Sequence, residues 1–391
     1  MPAPALPLLC ALLRGESPAW PADAGDEAAE AFLREARYHG VTPLLDARFR
    51  NPASDTRIRP GGGERAGSET SWPEAIRRAC REDALVQAVN ELRRRTELVR
   101  VLDVLAAAGV APLVLKGTAL AYSHYADPAL RPRADTDLLV APPDRDAALR
   151  ILRELGYRRV TGPAGTYVGY QAEMTRIDAH GMACSVDLHW RISNAQSFAW
   201  LFTFDELAAA SRPLDALGPH ARRLCDAHAL VVALLHRAGN NAFVEPGLGD
   251  RLIWLHDFRV LADAMTDDGP ARFVRLVGEK RIAALAIDGL RSCAACLPSP
   301  RLDALISALE SSAAPRSGAD LLRAGRLRRE WLELKAIPTM RARLAYLAGR
   351  ALPDAQYMRE RFPDAGRRAL PLLHARRWLG AVVPPGSERE R

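Results

Sequence analysis

Asp135 and Asp137 stand two residues apart in Arg131-Pro-Arg-Ala-Asp-Thr-Asp-Leu-Leu-Val140. On a strand, side chains at i and i+2 share a face, so the two carboxylates point the same way. Like charges that close repel unless a cation lies between them, and oxygen-only ligation suits Mg²⁺. The run Leu138-Leu-Val140 marks the strand as buried, and charges at the mouth of a buried strand need partners. Upstream, Leu113-Val-Leu-Lys-Gly-Thr118 reads as a buried strand, a turn and a helix start. Backbone N–H groups and the helix dipole can hold a phosphate at such a place. A phosphate seat beside a metal-binding carboxylate pair points to phosphoryl or nucleotidyl transfer.

A second acidic position lies in Cys184-Ser-Val-Asp-Leu-His-Trp190. As a strand, this segment puts Asp187 and His189 on one face and Val186 and Leu188 on the other. If it neighbours the Asp135–Asp137 strand, Asp187 supplies a third carboxylate. Three carboxylates can hold two Mg²⁺ ions that clamp the attacking and leaving oxygens of an in-line displacement. Asp187 is also a candidate general base toward an acceptor hydroxyl. Lys116, Arg131 and Arg133 are placed to neutralise a triphosphate, and the planar arginine fork suits bidentate phosphate contact. The competing reading pairs the arginines with Asp135 or Asp127. Of 54 Lys and Arg residues, only Lys116, Lys280 and Lys335 are lysines, which draws attention to the one in the turn. His189 either touches the nucleotide or acceptor or packs in the core beside Trp190. His236, Trp254 and Asp257 recur at helical spacing with Leu252 and Leu255, so they read first as helix packing.

Residues up to about 110 carry helical periodicity, in Asp26 to Tyr38 and in the long, Arg-rich run from Pro73 to Ala108. Asn51 to Ser71, with Pro60-Gly-Gly-Gly63, reads as a flexible loop. Then the pattern changes. Strands are expected at Ala111 to Leu115, Asp137 to Val140, Tyr157 to Val160, Tyr167 to Ile177 and Ala183 to Trp190, the last two joined at His180-Gly181 as a hairpin. Helices are expected at Thr118 to Tyr125 and Pro143 to Leu155. Helical patterns return from about Leu224, at Asp226 to Ala238, Gly249 to Ala264 and Pro270 to Gly278. Ser311 to Gly318 reads as an inter-helix loop and Pro384 to Arg391 as a disordered tail.

The expected organisation is an N-terminal helical region over 1–108, an α/β core over 109–215, a C-terminal helical domain over 216–383 and a tail over 384–391. With 391 residues, 48% hydrophobic and 26% charged, the chain has the composition of a globular protein with ample cores. The net charge of +7 fits polyanions such as nucleotides without demanding a nucleic-acid partner. No strongly basic run with interleaved aromatics is present, which disfavours nucleic acid. Six scattered cysteines form no disulfide framework, and Cys293-Ala-Ala-Cys296 lacks the second pair or histidine of a zinc site. Pro4 to Leu13 reads as an amphipathic helix, too short to span a membrane. No other segment is apolar enough, so no membrane association and a cytoplasmic location are expected.

Leu115-Lys-Gly117, Arg131-Pro-Arg-Ala-Asp-Thr-Asp-Leu-Leu-Val140 and Val186-Asp-Leu-His-Trp190 together resemble the uncharacterised nucleotidyltransferase family of the polymerase-β-like superfamily. The helical stretches Leu235 to Ala238, Arg251 to Asp257, Met340 to Leu347 and Pro353 to Phe362 resemble it too. The resemblance implies an α+β fold: a small mixed-sheet nucleotidyltransferase core with the phosphate turn after its first strand, flanked by helical regions. It also implies roles. Gly117 and Thr118 match the superfamily's Gly-Ser turn, which seats the β- and γ-phosphates. Asp135 and Asp137 match the metal-binding pair, and Asp187 the third carboxylate. Thr118 keeps the hydroxyl and N–H of the usual serine, and the segment from Gly117 to Asp135 is longer than in many members.

The expected activity is Mg²⁺-dependent transfer of a nucleoside monophosphate from an NTP to an unidentified acceptor, with catalytic and metal residues Asp135, Asp137 and Asp187. Lys116, Gly117, Thr118, Arg131 and His189 are the expected nucleotide-binding set. Two other readings use the same fold: a non-catalytic nucleotide-binding scaffold, and a toxin that nucleotidylates tRNA or protein. Base preference, acceptor and oligomeric state are not readable from the sequence.

Overall fold

A computed structural model describes residues 5–51, 72–160, 169–241, 249–266, 268–353, 355–362 and 369–382. The loop expected before Ser71 and the tail expected after Pro384 lie outside the described residues. Four helices open the chain: α1 (Ala5–Arg14), α2 (Asp26–His39), α3 (Thr42–Arg50) and α4 (Glu74–Ala107). Asp26 and Glu27 in the first turn of α2, and Arg37 and His39 in its last, match the helix dipole. Gly40 ends α2 at φ 69°, a left-handed conformation in which its N–H reaches the Ala36 and Arg37 carbonyls. Phe32, Trp72, Trp20 and Phe49 stack beneath these helices, with ring centroids 5.1–5.7 Å apart.

The α/β core follows as β1 (Leu113–Val114), α5 (Lys116–Ser123), β2 (Asp135–Leu139), α6 (Arg145–Glu154), β3 (Arg158–Arg159), β4 (Gln171–Ile177), β5 (Ala183–His189), α7 (Gln196–Ala199), α8 (Phe204–Ala209), β6 (Ser211–Pro213) and β7 (Arg222–Leu224). The seven strands form one mixed sheet in the order β3-β4-β5-β2-β1-β7-β6. β2 lies near its centre, antiparallel to β1 and parallel to β5. β4 and β5 form the expected hairpin, in which Asp178 accepts from the His180 and Met182 N–H groups and Gly181 turns at φ 79°. The sheet continues past residue 215 through the β6–β7 pair, with β7 parallel to β1.

The sheet's two faces differ, as period-two alternation requires. Leu138, Val186, Leu188, Ala172 and Met174 point into a core with α6 and the second half of α4, through Leu98, Val101, Leu102 and Leu105. Leu113, Leu115 and Leu139 face a larger core shared with both helical regions. α4 thus does two jobs: Ile76 and Cys80 pack among the N-terminal helices, and its last three turns cover the sheet. Between these contacts Leu85, Val86, Val89 and Leu92 are exposed.

The C-terminal helices are α9 (Asp226–Gly239), α10 (Leu252–Ala264), α11 (Gly269–Glu279), α12 (Ala283–Cys296), α13 (Pro300–Glu310), α14 (Ala319–Arg323), α15 (Arg326–Ala336), α16 (Met340–Ala351), α17 (Ala355–Arg361) and α18 (Leu370–Val382). The chain is therefore a mixed α/β protein with helical regions on both sides of its sheet. Among the described residues no helix is long and apolar enough to cross a membrane.

The division of labour along α4 predicts unequal costs of truncation. Leu105, fully buried on the sheet, should lose about 2–5 kcal/mol of stability on change to alanine. Leu85→Ala, at a position 62% exposed, should stay within about 0.5 kcal/mol of the parent. Urea denaturation measures both, and equal losses would sink this view of the helix.

Candidate active site

The turn after β1 is built under constraint. The Leu115 N–H pairs with the Asp137 carbonyl at 3.0 Å, and the chain then turns at Lys116 with φ 49°. A side-chain-bearing residue in the left-handed region costs about 1–2 kcal/mol, so the surroundings must hold it there. Lys116 Nζ donates to Asp137 Oδ1 at 2.6 Å, and both side chains are largely buried. Gly117 follows, and a Cβ at this position would come within 3.0 Å of the Arg131 guanidinium. Glycine is thus favoured by close approach to a guanidinium that Asp257 holds in place. Thr118 is buried, with its hydroxyl 3.5 Å from the Asp135 carbonyl.

The strand register brings the carboxylates together. β2 and β5 run parallel with Asp137 directly across from Asp187, and with Asp135 across from Ser185 on the same face. His189 lies two pairs further along, opposite Leu139, and its Nε2 is 2.8 Å from Asp137 Oδ1. From β4, Gln171 Nε2 donates to Asp187 Oδ2 at 3.2 Å. Ligand atoms of Asp137, Asp187 and His189 lie within 4.8 Å of one another, a spacing able to hold a metal ion. Asp135 is outside that triad but lines the same cavity.

Charge is unevenly shared among these groups. Burial alone would raise the Asp137 carboxyl, but Lys116 and His189 overcome it and hold it well below the usual carboxylate range. Among the described residues Asp187 forms no ion pair, and Lys116 favours its charge only through space. Burial, then the charges of Asp137 and Asp135, push it up to about 7. Burial and the neighbouring Asp137 also raise Asp135. His189 is shifted down by burial and by the Lys116 charge, which favours neutral imidazole. One anchored anion and two carboxyls short of cations make a site that would gain from a divalent ion.

Arg131 has a different partner from either reading of the sequence. Its Nε and Nη2 bind the Asp257 carboxylate of α10 at 2.7–3.1 Å, and Nη1 donates to the Pro132 carbonyl at 2.6 Å. Tyr125 OH donates to the same carboxylate at 2.7 Å and lies 2.9 Å from His256 Nδ1. Asp257, grouped in sequence with packing residues, is the counter-ion beneath the Gly117 turn. Arg133 is paired too, with Glu91 of α4 at 2.6 and 2.8 Å. The longer segment before Asp135 forms a short turn at Pro128–Leu130, where Asp127 accepts from the Ala129 N–H. It thereby delivers Tyr125 and Arg131 to Asp257.

Arg131, Arg133 and Asp257 border a cavity of about 1010 Å³ together with the acidic residues of the sheet. Its lining includes Lys116, Gly117, Thr118, Asp135, Asp137 and Asp187 from the core, and His236, Trp254 and Arg350 from C-terminal helices. His236 meets Trp254 edge-on at 5.5 Å, the packing that their spacing predicts. Arg94 and Gln171 also reach the cavity. Neither was singled out from sequence, and for Arg94 the only signal was the arginine-rich character of its helix. Cys293 and Cys296 belong to no metal-binding cluster among the described residues, and the Cys293 thiol donates to the Leu255 carbonyl.

A mixed sheet with a glycine turn after its first strand and facing acidic residues on two parallel strands defines a nucleotidyltransferase class of core. A family model described as uncharacterised nucleotidyltransferase matches residues 25–298, and the chain belongs to that family. The match takes in α2 to α4, the whole sheet and α9 to α12, and leaves out α1. The resembling helical stretches beyond residue 298 lie outside it. No curated protein matches the chain.

Two outcomes are expected of this geometry. A carboxyl whose folded value is raised holds its proton more tightly folded than unfolded. The stabilisation at Asp187 is therefore full below its ordinary 3.8 and is lost as pH rises through about 7. Chemical denaturation of metal-free protein from pH 4 to 8 should show this fall, and Asp187→Asn should flatten it. Comparison with the variant cancels other groups, including His189, whose lowered value gives the opposite slope. Identical profiles would refute the charge distribution described. Separately, Asp257→Ala leaves the buried Arg131 guanidinium unpaired and should cost about 3–5 kcal/mol. Arg131→Met combined with Asp257→Leu should recover much of that loss; a single-variant loss below about 1 kcal/mol would show that the pair does not hold the turn.

Proposed function

We propose that the protein transfers a nucleoside monophosphate from an NTP to an acceptor group, with a divalent metal, Mg²⁺ by preference, and releases pyrophosphate. One observation carries the reading: Asp187 sits directly across from Asp137, with Asp135 on the same face, beside a Gly-Thr helix start. Membership of the family supports nucleotidyl transfer in general.

In this reading Asp135, Asp137 and Asp187 hold the metal, whose oxygen preference fits a carboxylate set short of cations. When bound, a pair of Mg²⁺ ions would offset the triphosphate charge and favour the acceptor oxyanion. The Gly117 and Thr118 backbone, at the N-terminus of α5, takes the phosphate tail. Gly117 allows the close approach, and Arg131, fixed by Asp257, supports the turn from below. Lys116 keeps Asp137 ionised and adds positive charge on the triphosphate side. His189 Nε2 fixes the rotamer of Asp137. Asp187 accepts the proton as the acceptor oxygen bonds to the α-phosphorus and the bond from that phosphorus to pyrophosphate breaks. The wall with Trp254 and Arg350 borders the acceptor's side of the cavity, and the acceptor is a non-nucleic-acid molecule by preference, given the modest net charge.

Thermal shift with each NTP and Mg²⁺ tests the reading, paired with an assay of pyrophosphate release. A nucleotide at about a hundred times its Kd should stabilise the folded state by about 2.7 kcal/mol. Asp187→Asn should keep the fold, lose the metal-dependent part of that shift and lower transfer about 10²–10⁴-fold. Absence of stabilisation by every NTP at millimolar concentration would defeat the proposal. Metal-dependent binding with no turnover on any acceptor would favour the scaffold reading instead.

A further inference from the structure

Among the described residues, the arginines that line the cavity are, with one exception, engaged by carboxylates or carbonyl groups. Arg131 has Asp257, Arg133 has Glu91, Arg37 has Asp83 and Arg350 has Glu330. Arg94, on α4, lines the cavity but forms no ion pair among the described residues, and its Nη1 is buried without a hydrogen-bond partner. The acidic neighbour one helical turn away is already taken. Glu91 accepts from both Arg133 terminal nitrogens and from the Tyr122 hydroxyl. Burial and the Arg133 charge both oppose the Arg94 cation, while Glu91 and Asp135 favour it only through space, without an ion pair.

A partly buried guanidinium facing an open cavity without a counter-ion is costly unless an anion arrives to meet it. Its planar fork suits two oxygens of one phosphoryl group. We infer that Arg94 is the docking cation for a phosphoryl oxyanion at the Asp135 end of the cavity. The N-terminal helical region thereby contributes a binding residue to the site. Which phosphate it takes, the end of the donor triphosphate or a phosphate on the acceptor, rests on the nucleotidyl-transfer reading; the anion seat itself does not.

Calorimetric titration of the full chain without metal, using inorganic tripolyphosphate, reads the seat directly. Wild type should bind, Arg94→Met should weaken binding about ten- to hundredfold, and Arg94→Lys should fall between, since it keeps charge but not the fork. The melting temperature of ligand-free Arg94→Met should equal or exceed that of wild type, because an unmatched buried cation has been removed. NTP and NMP with Mg²⁺ then separate the sources. Loss of NTP affinity with NMP unchanged places the triphosphate tail on Arg94, and loss confined to the inorganic anion places the acceptor's phosphate there. Wild type without affinity for tripolyphosphate, or both variants with wild-type affinity, would overturn the inference. Anion binding that depends on Arg94 in a protein that binds no NTP would keep the seat and count against the transfer reading alone.

Discussion

The parallel pairing of β2 with β5 is the constraint on which the rest of the site depends. It sets Asp137 against Asp187 inside a sheet whose other face is closed by Leu138, Val186, Leu188 and Met174. A slip of one residue would drive the carboxylates into that core and expose the leucines, so burial of one face fixes the chemistry of the other. The apolar residues between the acids therefore matter as much to the site as the acids do. Antiparallel β4 reinforces the register from outside, with Met174 and Ala172 on the apolar side and Gln171 reaching Asp187 on the polar side.

The helical regions complete this face. Asp257 comes from α10 and neutralises Arg131, on which Gly117 rests; Glu91 comes from α4 and holds Arg133. Glu333, from α15, accepts from the Gln196 and Ser197 N–H groups at the start of α7, which follows β5. Each contact buries a charge that needs its partner, and each partner is remote in sequence. Core and flanks are thus bound by polar contacts specific in geometry as well as by the shared apolar core.

Period-two alternation made the acidic face readable, because Asp137, Asp187 and His189 alternate with the apolar Leu138, Val186 and Leu188. The larger helices α2, α4 and α9 were readable from their own 3.6-residue periodicity. What the sequence left open was pairing. That β2 and β5 are neighbours, which makes Asp187 part of the site, was only a condition until the sheet order was known. β6 and β7 have three residues each, too few to show alternation. Arg131 invited a phosphate reading because nothing local could reveal Asp257, 126 residues away. Arg94 was hidden in an arginine-rich helix whose exposed and buried faces change along its length.

His189 poses a choice that its hydrogen bond decides. It belongs to the triad close enough to hold a metal, yet its Nε2 already faces the strongly ionised Asp137. A neutral imidazole beside an anion donates its proton there, so Nε2 carries the hydrogen and Nδ1 the lone pair. Nδ1 is buried and has no partner. Binding a metal through Nε2 would move the hydrogen to Nδ1, exchanging an unmet acceptor for an unmet buried donor and removing a support of Asp137. Oxygen ligation by the carboxylates carries neither cost and agrees with the hardness of Mg²⁺. The imidazole is better suited to orienting Asp137 than to ligation, so the proposed metal site draws its ligands from the carboxylates of the two central strands.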